Sequence, residues 1–224
     1  MPPPIIPWPH ALPIIPCRYA GPEEAGFYSF LHKPHPGPAE RTQDAQNVAA
    51  AIRFLQQKPS EPFFIFLPLA LPHPPYSAPE PFYSSVDPSS VPPLRPPGRR
   101  DKPDYHRLIR QYRNLTALDD RFFREVHAVY LGAISYSDFL FGLLMAALEQ
   151  SGLGSSTSTF VFSDHGDYAG DYGLVEKWPS GLEDVLTRVP LLARIPNGKA
   201  GHVVSAPVQL FDVVPTVRIN SFIH

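Results

Sequence analysis

The sequence has little cysteine, little net charge and no long apolar run. Cys17 is the only cysteine among 224 residues, so no internal disulfide can form and the redox compartment is not indicated. The formal net charge is only -2, which argues against electrostatic binding to nucleic acid. No run approaches the roughly 18 consecutive apolar residues of a membrane span. We therefore predict neither a nucleic-acid partner nor a membrane partner.

The start of the chain also lacks the features of a signal peptide. Residues 1–17 are apolar, but they have no basic beginning and are interrupted by prolines. Without a visible leader or membrane segment, we expect a cytoplasmic protein by default. No internal repeat is present, and the sequence does not indicate an oligomeric state.

Proline, by contrast, is abundant. The chain has 30 prolines among 224 residues, whereas about 5% is usual. They concentrate near the start and in residues 77–103, which predicts an irregular arm and an irregular loop. The 43% of hydrophobic residues is enough for one domain with its own core. We predict an arm over residues 1–41, a domain over residues 42–218 and a tail over residues 219–224.

Helical and strand patterns alternate along that domain, which predicts an α/β fold. Apolar residues at helical spacing predict helices over residues 42–57, 105–118, 121–150 and 205–217. Short apolar runs predict buried strands over residues 63–67 and 159–162, and a further strand over residues 189–195.

The most informative stretch is residues 157–177. The strand predicted over residues 159–162 is followed directly by Asp164 and His165, and ligands bind at the carboxyl ends of strands in open α/β sheets. Gly166 lets the backbone turn, so the two side chains can face one ion. Asp-Gly and His-Gly pairs are also ordinary turn formers. Both interpretations, a metal site and a turn, stay open on spacing alone.

His73 follows the predicted strand over residues 63–67 and has proline on both sides. Because proline restricts φ, the imidazole would be held on a stiff turn. An imidazole titrates near neutral pH, which suits proton transfer. A loop histidine without function is the alternative. The basic cluster of Arg95, Arg99, Arg100 and Lys102 also has two interpretations, an anion-binding rim or a solvated basic loop.

Several ordered motifs resemble the sulfatases, which are alkaline-phosphatase-like hydrolases. The string FVFSDHGDYAGDYGLVEKW is similar to their second metal-binding motif, and FIFLPLALPHPPYSAPEPFY is similar to the segment in which an apolar strand ends in P-H-x-P-Y. EDVLTRVPLL and PVQLFDVVPTV resemble later segments of the family. The resemblance implies part of a mixed sheet flanked by helices.

The resemblance also implies roles for four residues. Asp164 and His165 would bind a divalent cation, typically calcium, and Lys177 would contact the sulfate group of a small-molecule sulfate ester. His73 would touch the ester and help to protonate the departing alcohol. Many relatives have histidine where this chain has Tyr172, so no role of that histidine is transferred.

Two parts of the family's catalytic site are missing. The nucleophile lies in C/S-x-P-x-R and is converted to formylglycine, but Cys17 stands in Pro16-Cys17-Arg18-Tyr19-Ala20 and is not assigned. The early pair of metal-binding aspartates is absent too. Calcium takes about six to eight oxygen ligands, so we expect weak binding. We also expect mutual repulsion among Asp164, Asp167 and Asp171.

The resemblance therefore implies the C-terminal portion of a sulfatase catalytic domain. We expect a metal-dependent hydrolase of sulfate esters that is incomplete or inactive as this chain stands. The alternatives are a phosphodiesterase or phosphonate monoester hydrolase of the same superfamily, and a fold remnant without catalysis. The 224-residue protein should show no sulfatase turnover, because the covalent route needs a nucleophile. Turnover abolished by His165→Ala would contradict this expectation.

Overall fold

The computed structural model describes residues 32–178 and 181–221. Its helices are α1 (Gln43–Gln56), α2 (Tyr105–Tyr112), α3 (Asp120–Gln150), α4 (Asp184–Thr187) and α5 (Val213–Ser221). Its strands are β1 (Lys33–Pro34), β2 (Ser77–Ala78), β3 (Thr159–Phe162) and β4 (Leu191–Arg194). Most of the predicted arm, with Cys17, lies outside the described residues, and the division into arm, domain and tail stays a prediction.

Helix α1 confirms the prediction over residues 42–57 and anchors the segment that leads to His73. The Thr42 hydroxyl accepts a hydrogen bond from the Ala45 amide at 3.1 Å, which caps the helix. In the first turn, the buried Asp44 carboxylate accepts hydrogen bonds from the amides of Ala70 at 3.0 Å and Leu71 at 2.8 Å. A buried carboxylate near a helix start thereby fixes the chain two residues before His73.

Helix α3 also confirms the prediction over residues 121–150, and it contributes a buried face to the core of the domain. The Asp119 side chain caps it by accepting from the Phe122 amide at 2.9 Å. Its buried face includes Phe123, Val126 and Tyr136. By length and composition alone this helix could cross a membrane, although 33% of its most apolar window is buried inside the domain. A core helix meets the same criterion, so this feature is weak evidence for a membrane.

Sheet pairing is sparse among the described residues. Strands β1 and β2 pair in parallel, and β3 and β4 pair antiparallel, with Thr159 opposite Arg194. Parallel and antiparallel pairs are thus both present, but as two separate two-stranded sheets within residues 32–178 and 181–221. Strands are confirmed within residues 159–162 and 189–195, with β4 limited to Leu191–Arg194. The predicted burial of residues 159–162 was wrong, because β3 pairs only with β4 among the described strands and Phe162 is 40% exposed.

The strand predicted over residues 63–67 was wrong. No described strand pairs with this segment, and Phe64 and Phe66 are 62% and 69% exposed. Strand propensity reflects packing on a pleated surface, so an apolar run without a neighbouring strand does not form one. Two other predictions were too long or misplaced. Helix α2 stops before Asn114, which has a positive φ of 49°, and α5 begins at Val213 rather than near residue 205.

The main core lies beneath the loop that follows β3. Leu174 and Val175 are fully buried, and they pack with Tyr76, Tyr168 and Tyr172 in one cluster that reaches α2 and α3. A loop usually runs over the surface, but here its apolar side chains supply the core. The polar residues on either side of this buried section are therefore held in place by packing.

Two glycines of α3 test how closely the chain packs on this helix. A Cβ at Gly132 would lie 2.2 Å from the backbone oxygen of Phe82, whereas a Cβ at Gly142 would meet nothing within 4 Å. Gly132→Ala should lower the free energy of unfolding by about 1–3 kcal/mol through overpacking. Gly142→Ala should raise it by about 0.5–1 kcal/mol through helix propensity. Chemical denaturation measures both, and equal effects of the two substitutions would contradict this packing.

Candidate functional site

The candidate site is built on residues 163–177, and Gly166 fixes the start of this loop against α4. Its amide donates to the backbone oxygen of Leu186 at 2.7 Å. A Cβ at this position would lie 1.9 Å from the backbone oxygen of Val185. Only glycine permits this approach, so the turn after His165 is set by contact with α4.

The Tyr76 hydroxyl joins this loop to the His73 segment. It donates to the Asp167 carboxylate at 2.6 Å and accepts from the Glu176 amide at 2.7 Å. Tyr76 is 1% exposed, and burial raises the pKa of its hydroxyl well above the usual value. The neutral hydroxyl therefore satisfies one group at each end of the loop, which brings His73 close to both ends.

His73 and Lys177 meet directly. The Lys177 Nζ lies 2.8 Å from His73 Nε2, and His73 Nδ1 lies 2.6 Å from the backbone oxygen of Pro74. An ammonium group only donates, so Nε2 accepts and Nδ1 carries the proton given to Pro74. This assigns a neutral imidazole with its Nε2 lone pair directed at the lysine.

His165 and Asp164 lie beside this pair. The rings of His73 and His165 are 6.3 Å apart between centroids. His165 Nδ1 is 2.8 Å from the backbone oxygen of Gly166, and its Nε2 is 3.7 Å from the Asp164 carboxylate. Donation from Nδ1 to a carbonyl leaves Nε2 free, which is how metal-binding histidines are commonly oriented. The Asp164 side chain is 84% exposed and can also be reached by an ion.

These two donors do not make a complete calcium site. Within the described ranges no group of three or more His, Cys, Asp or Glu side chains is placed to hold a metal ion. Calcium takes about six to eight oxygen ligands. The donor chemistry of Asp164 and His165 therefore suits a cation, but two donors fill only part of its coordination shell.

The expected repulsion among three aspartates does not arise, because each has different surroundings. Asp164 is exposed. Asp167 is hydrogen-bonded to Tyr76, and burial raises the pKa of its carboxyl despite that bond. Asp171 is buried and accepts from the Arg95 amide at 2.7 Å and from the Arg95 guanidinium. One residue of the predicted basic cluster thus neutralises an aspartate of the loop.

Glu183 is a hub that sequence reasoning missed. Its carboxylate accepts from Tyr168 at 2.8 Å, from His106 Nε2 at 2.5 Å and from Tyr105 at 3.2 Å. Burial alone would raise the pKa of Glu183, but the hydrogen bonds from Tyr168 and His106 hold it below its usual value. The carboxylate thereby ties α2 to the core side of the loop. The only sequence signal was the glutamate that opens the EDVLTRVPLL segment.

This fold matches solved hydrolases of the alkaline phosphatase superfamily. The phosphonate monoester hydrolase SpPMH from Silicibacter pomeroyi superposes with a TM-score of 0.70 and 26% identity, over 92% of this chain and 44% of that chain. The multifunctional alkaline phosphatase superfamily protein PehA from Trinickia caryophylli is 27% identical over 205 residues, which are 83% of this chain and 39% of PehA.

The chain belongs to the Sulfatase family, whose profile matches residues 16–218. Arylsulfatase K from Homo sapiens is 30% identical over 195 residues, covering 78% of this chain and 35% of that protein. The chain thus spans well under half the length of the relatives it matches. Membership makes it a hydrolase-family protein, and the structure brings His73, Lys177, His165 and Asp164 together, while their individual roles stay predictions.

The hydrogen bonds to Glu183 predict that the stability of the protein depends on this carboxylate in a pH-dependent way. Glu183→Gln replaces one acceptor oxygen with a donor facing Tyr168, Tyr105 and His106, so it should lower the free energy of unfolding by about 1–3 kcal/mol near pH 7. Because the folded pKa of Glu183 lies below its usual value of 4.5, this stabilisation is complete above pH 4.5 and is lost as pH falls through the folded pKa.

The difference in the free energy of unfolding between the wild type and Glu183→Gln should therefore become smaller in acid. Denaturation curves at several pH values measure it, with the exposed neighbour Asp184→Asn as the matched control. The stabilising role of the Glu183 carboxylate is contradicted if this difference in unfolding free energy stays constant with pH. It is also contradicted if Asp184→Asn lowers the free energy of unfolding equally.

Proposed function

We propose that this protein is a metal-dependent hydrolase of small-molecule sulfate esters, in which His73 and Lys177 bind the ester. The observation that carries the proposal is the 2.8 Å contact between Lys177 Nζ and His73 Nε2 beside His165. Membership of the Sulfatase family supports it. The chain spans 35% of arylsulfatase K and 44% of SpPMH, so the activity of the whole protein is part of the proposal.

Lys177 would neutralise the anionic end of the ester. Its side chain is exposed, and within residues 32–178 and 181–221 its Nζ contacts the His73 imidazole and forms no ion pair with a carboxylate. An ammonium group without a paired carboxylate keeps its donors available for a sulfate oxygen. The charge that Lys177 brings is therefore not cancelled locally.

His73 would manage the proton of the departing alcohol. Its Nδ1 proton is donated to the Pro74 carbonyl, so Nε2, which faces Lys177, is the nitrogen that would give a proton to the ester. With a proton taken from solvent at Nε2, in place of the bond from Lys177, the ring can donate that proton to the ester oxygen. This would occur as an incoming nucleophile bonds to sulfur and the sulfur–oxygen bond breaks, which leaves a neutral alcohol.

Asp164 and His165 would be the two cation ligands that this chain contributes. The support is the free Nε2 of His165 and the exposed Asp164 carboxylate 3.7 Å from it. Because the two donors leave most of a calcium shell unfilled, no chemical step is assigned to the cation. Binding by this chain alone should be weak.

The second candidate is hydrolysis of phosphonate monoesters or phosphodiesters. The likeness to SpPMH and PehA favours it. A phosphonate monoester carries a tetrahedral anionic head like that of a sulfate ester, and a lysine next to a histidine suits both.

Titration calorimetry with inorganic sulfate tests the Lys177 assignment on the full 224-residue chain. Lys177→Gln should weaken sulfate binding about tenfold, because a charge-assisted hydrogen bond contributes about 1.5–3 kcal/mol in favourable settings and less when exposed. Lys199→Gln, at an exposed position outside the site, is the matched control and should bind as the wild type does.

Parallel titrations with phenyl sulfate and with phenyl methylphosphonate separate the two candidates. Tighter binding of phenyl sulfate that depends on Lys177 and His73 supports the sulfate ester. Tighter binding of phenyl methylphosphonate with the same dependence favours the second candidate. If neither compound nor sulfate binds, or if Lys177→Gln has no effect, the chain is better described as a fold remnant without this site.

A further inference from the structure

A cavity lies on the side of the loop formed by Gly170 and Gly173, next to α2. Its volume is about 160 Å³, and Leu94, Pro97, Leu118 and Phe123 supply much of its apolar lining. Both glycines are needed there. A Cβ at Gly170 would lie 2.9 Å from Leu94 Cδ1, and a Cβ at Gly173 would lie 2.9 Å from Arg110 Nε. The neighbouring groups therefore pack too closely on these two positions for any other residue.

Arg110 of α2 lines this cavity with an unsatisfied donor. Its Nε is buried and has no hydrogen-bond partner within residues 32–178 and 181–221. An arginine side chain has five N–H donors and no acceptor, and a buried donor without a partner is unfavourable. Burial lowers the pKa of Arg110, which is the direction expected when no anion lies close enough to offset desolvation.

The other two charged side chains around the cavity already have partners. Arg95 is paired with the Asp171 carboxylate at 2.5 Å, and Asp120 is paired with Arg124 at 2.7 Å. Asp120 is also 72% exposed, so it belongs to the rim rather than the interior. Arg110 thus stands apart as the lining charge that forms no ion pair within residues 32–178 and 181–221.

The size and lining of the cavity restrict which anion can pair with Arg110. Pockets for drug-sized ligands measure roughly 300–1,000 Å³, so this cavity suits a smaller ligand. An apolar cavity of about 150 Å³ is enough for one benzene ring. A single ring or a short branched chain fits against the leucines and Phe123, with its anionic group directed at Arg110.

We infer that this cavity is a binding site for a small organic anion, a carboxylate on a single apolar ring or short chain, held by Arg110. The Nε of Arg110 packs against Gly173, which helps to hold the guanidinium at the cavity wall. The carboxylate would pair with the part of the guanidinium that lines the cavity. The apolar body would fill the space beside Leu94 and Phe123. This site is separate in its residues from His73 and Lys177.

Titration calorimetry with benzoate and with benzamide tests the site on the 224-residue protein. Benzamide has nearly the same shape without the charge, so benzoate should bind at least tenfold more tightly. Arg110→Ala should abolish that preference. Arg107→Ala is the matched control, because Arg107 lies on the same helix, is exposed and pairs with Asp104. It should leave benzoate binding unchanged.

A second variant keeps the test decisive if Arg110→Ala does not fold. Leu94→Phe retains the guanidinium but fills the cavity, and it should weaken benzoate binding at least tenfold. The inference is overturned if benzoate gives no binding heat, if benzamide binds equally well, or if Leu94→Phe binds benzoate as the wild type does. Lys177→Gln should not alter benzoate binding, which separates this site from the proposed ester site.

Discussion

One buried hydroxyl organises the candidate site. The Tyr76 oxygen donates to Asp167 and accepts from the Glu176 amide, and these partners lie 91 and 100 residues away along the chain. Burial keeps this hydroxyl neutral, so it can serve both partners at once. His73 precedes Tyr76 by three positions and Lys177 follows Glu176 directly, so the same clamp brings their nitrogens to 2.8 Å.

Around this clamp, most of the loop's charges are neutralised locally, and the exceptions mark the functional candidates. Asp171 is paired with Arg95 and Glu176 with Arg113, and just beyond the loop the Glu183 carboxylate is hydrogen-bonded to His106. These pairs hold the loop to its neighbours. Asp164 and Lys177 instead stay exposed on the side that carries the two histidines. Structural charges and candidate site charges are thus separated by burial, although they occupy one short stretch of sequence.

Elements defined by local signals were predictable. Thr42 and Asp119 cap helices whose apolar residues recur at helical spacing, and both helices form where expected. Residues 63–67 carry an equally clear strand pattern, yet no described strand pairs with them. A helix makes its hydrogen bonds within its own segment, whereas a strand depends on a partner. The pattern of one segment cannot supply that partner.

The sequence by itself determined the family, the long helices and the identity of the Asp–His and His–Lys candidates, because these rest on residue type and short-range spacing. Only the tertiary structure decided that Tyr76 joins the two halves of the site. It also placed Asp171 with Arg95 instead of in the site, made Glu183 a hub and left Arg110 facing a cavity. These facts depend on burial and on contacts between residues distant in the chain, and local sequence does not encode which distant groups will meet.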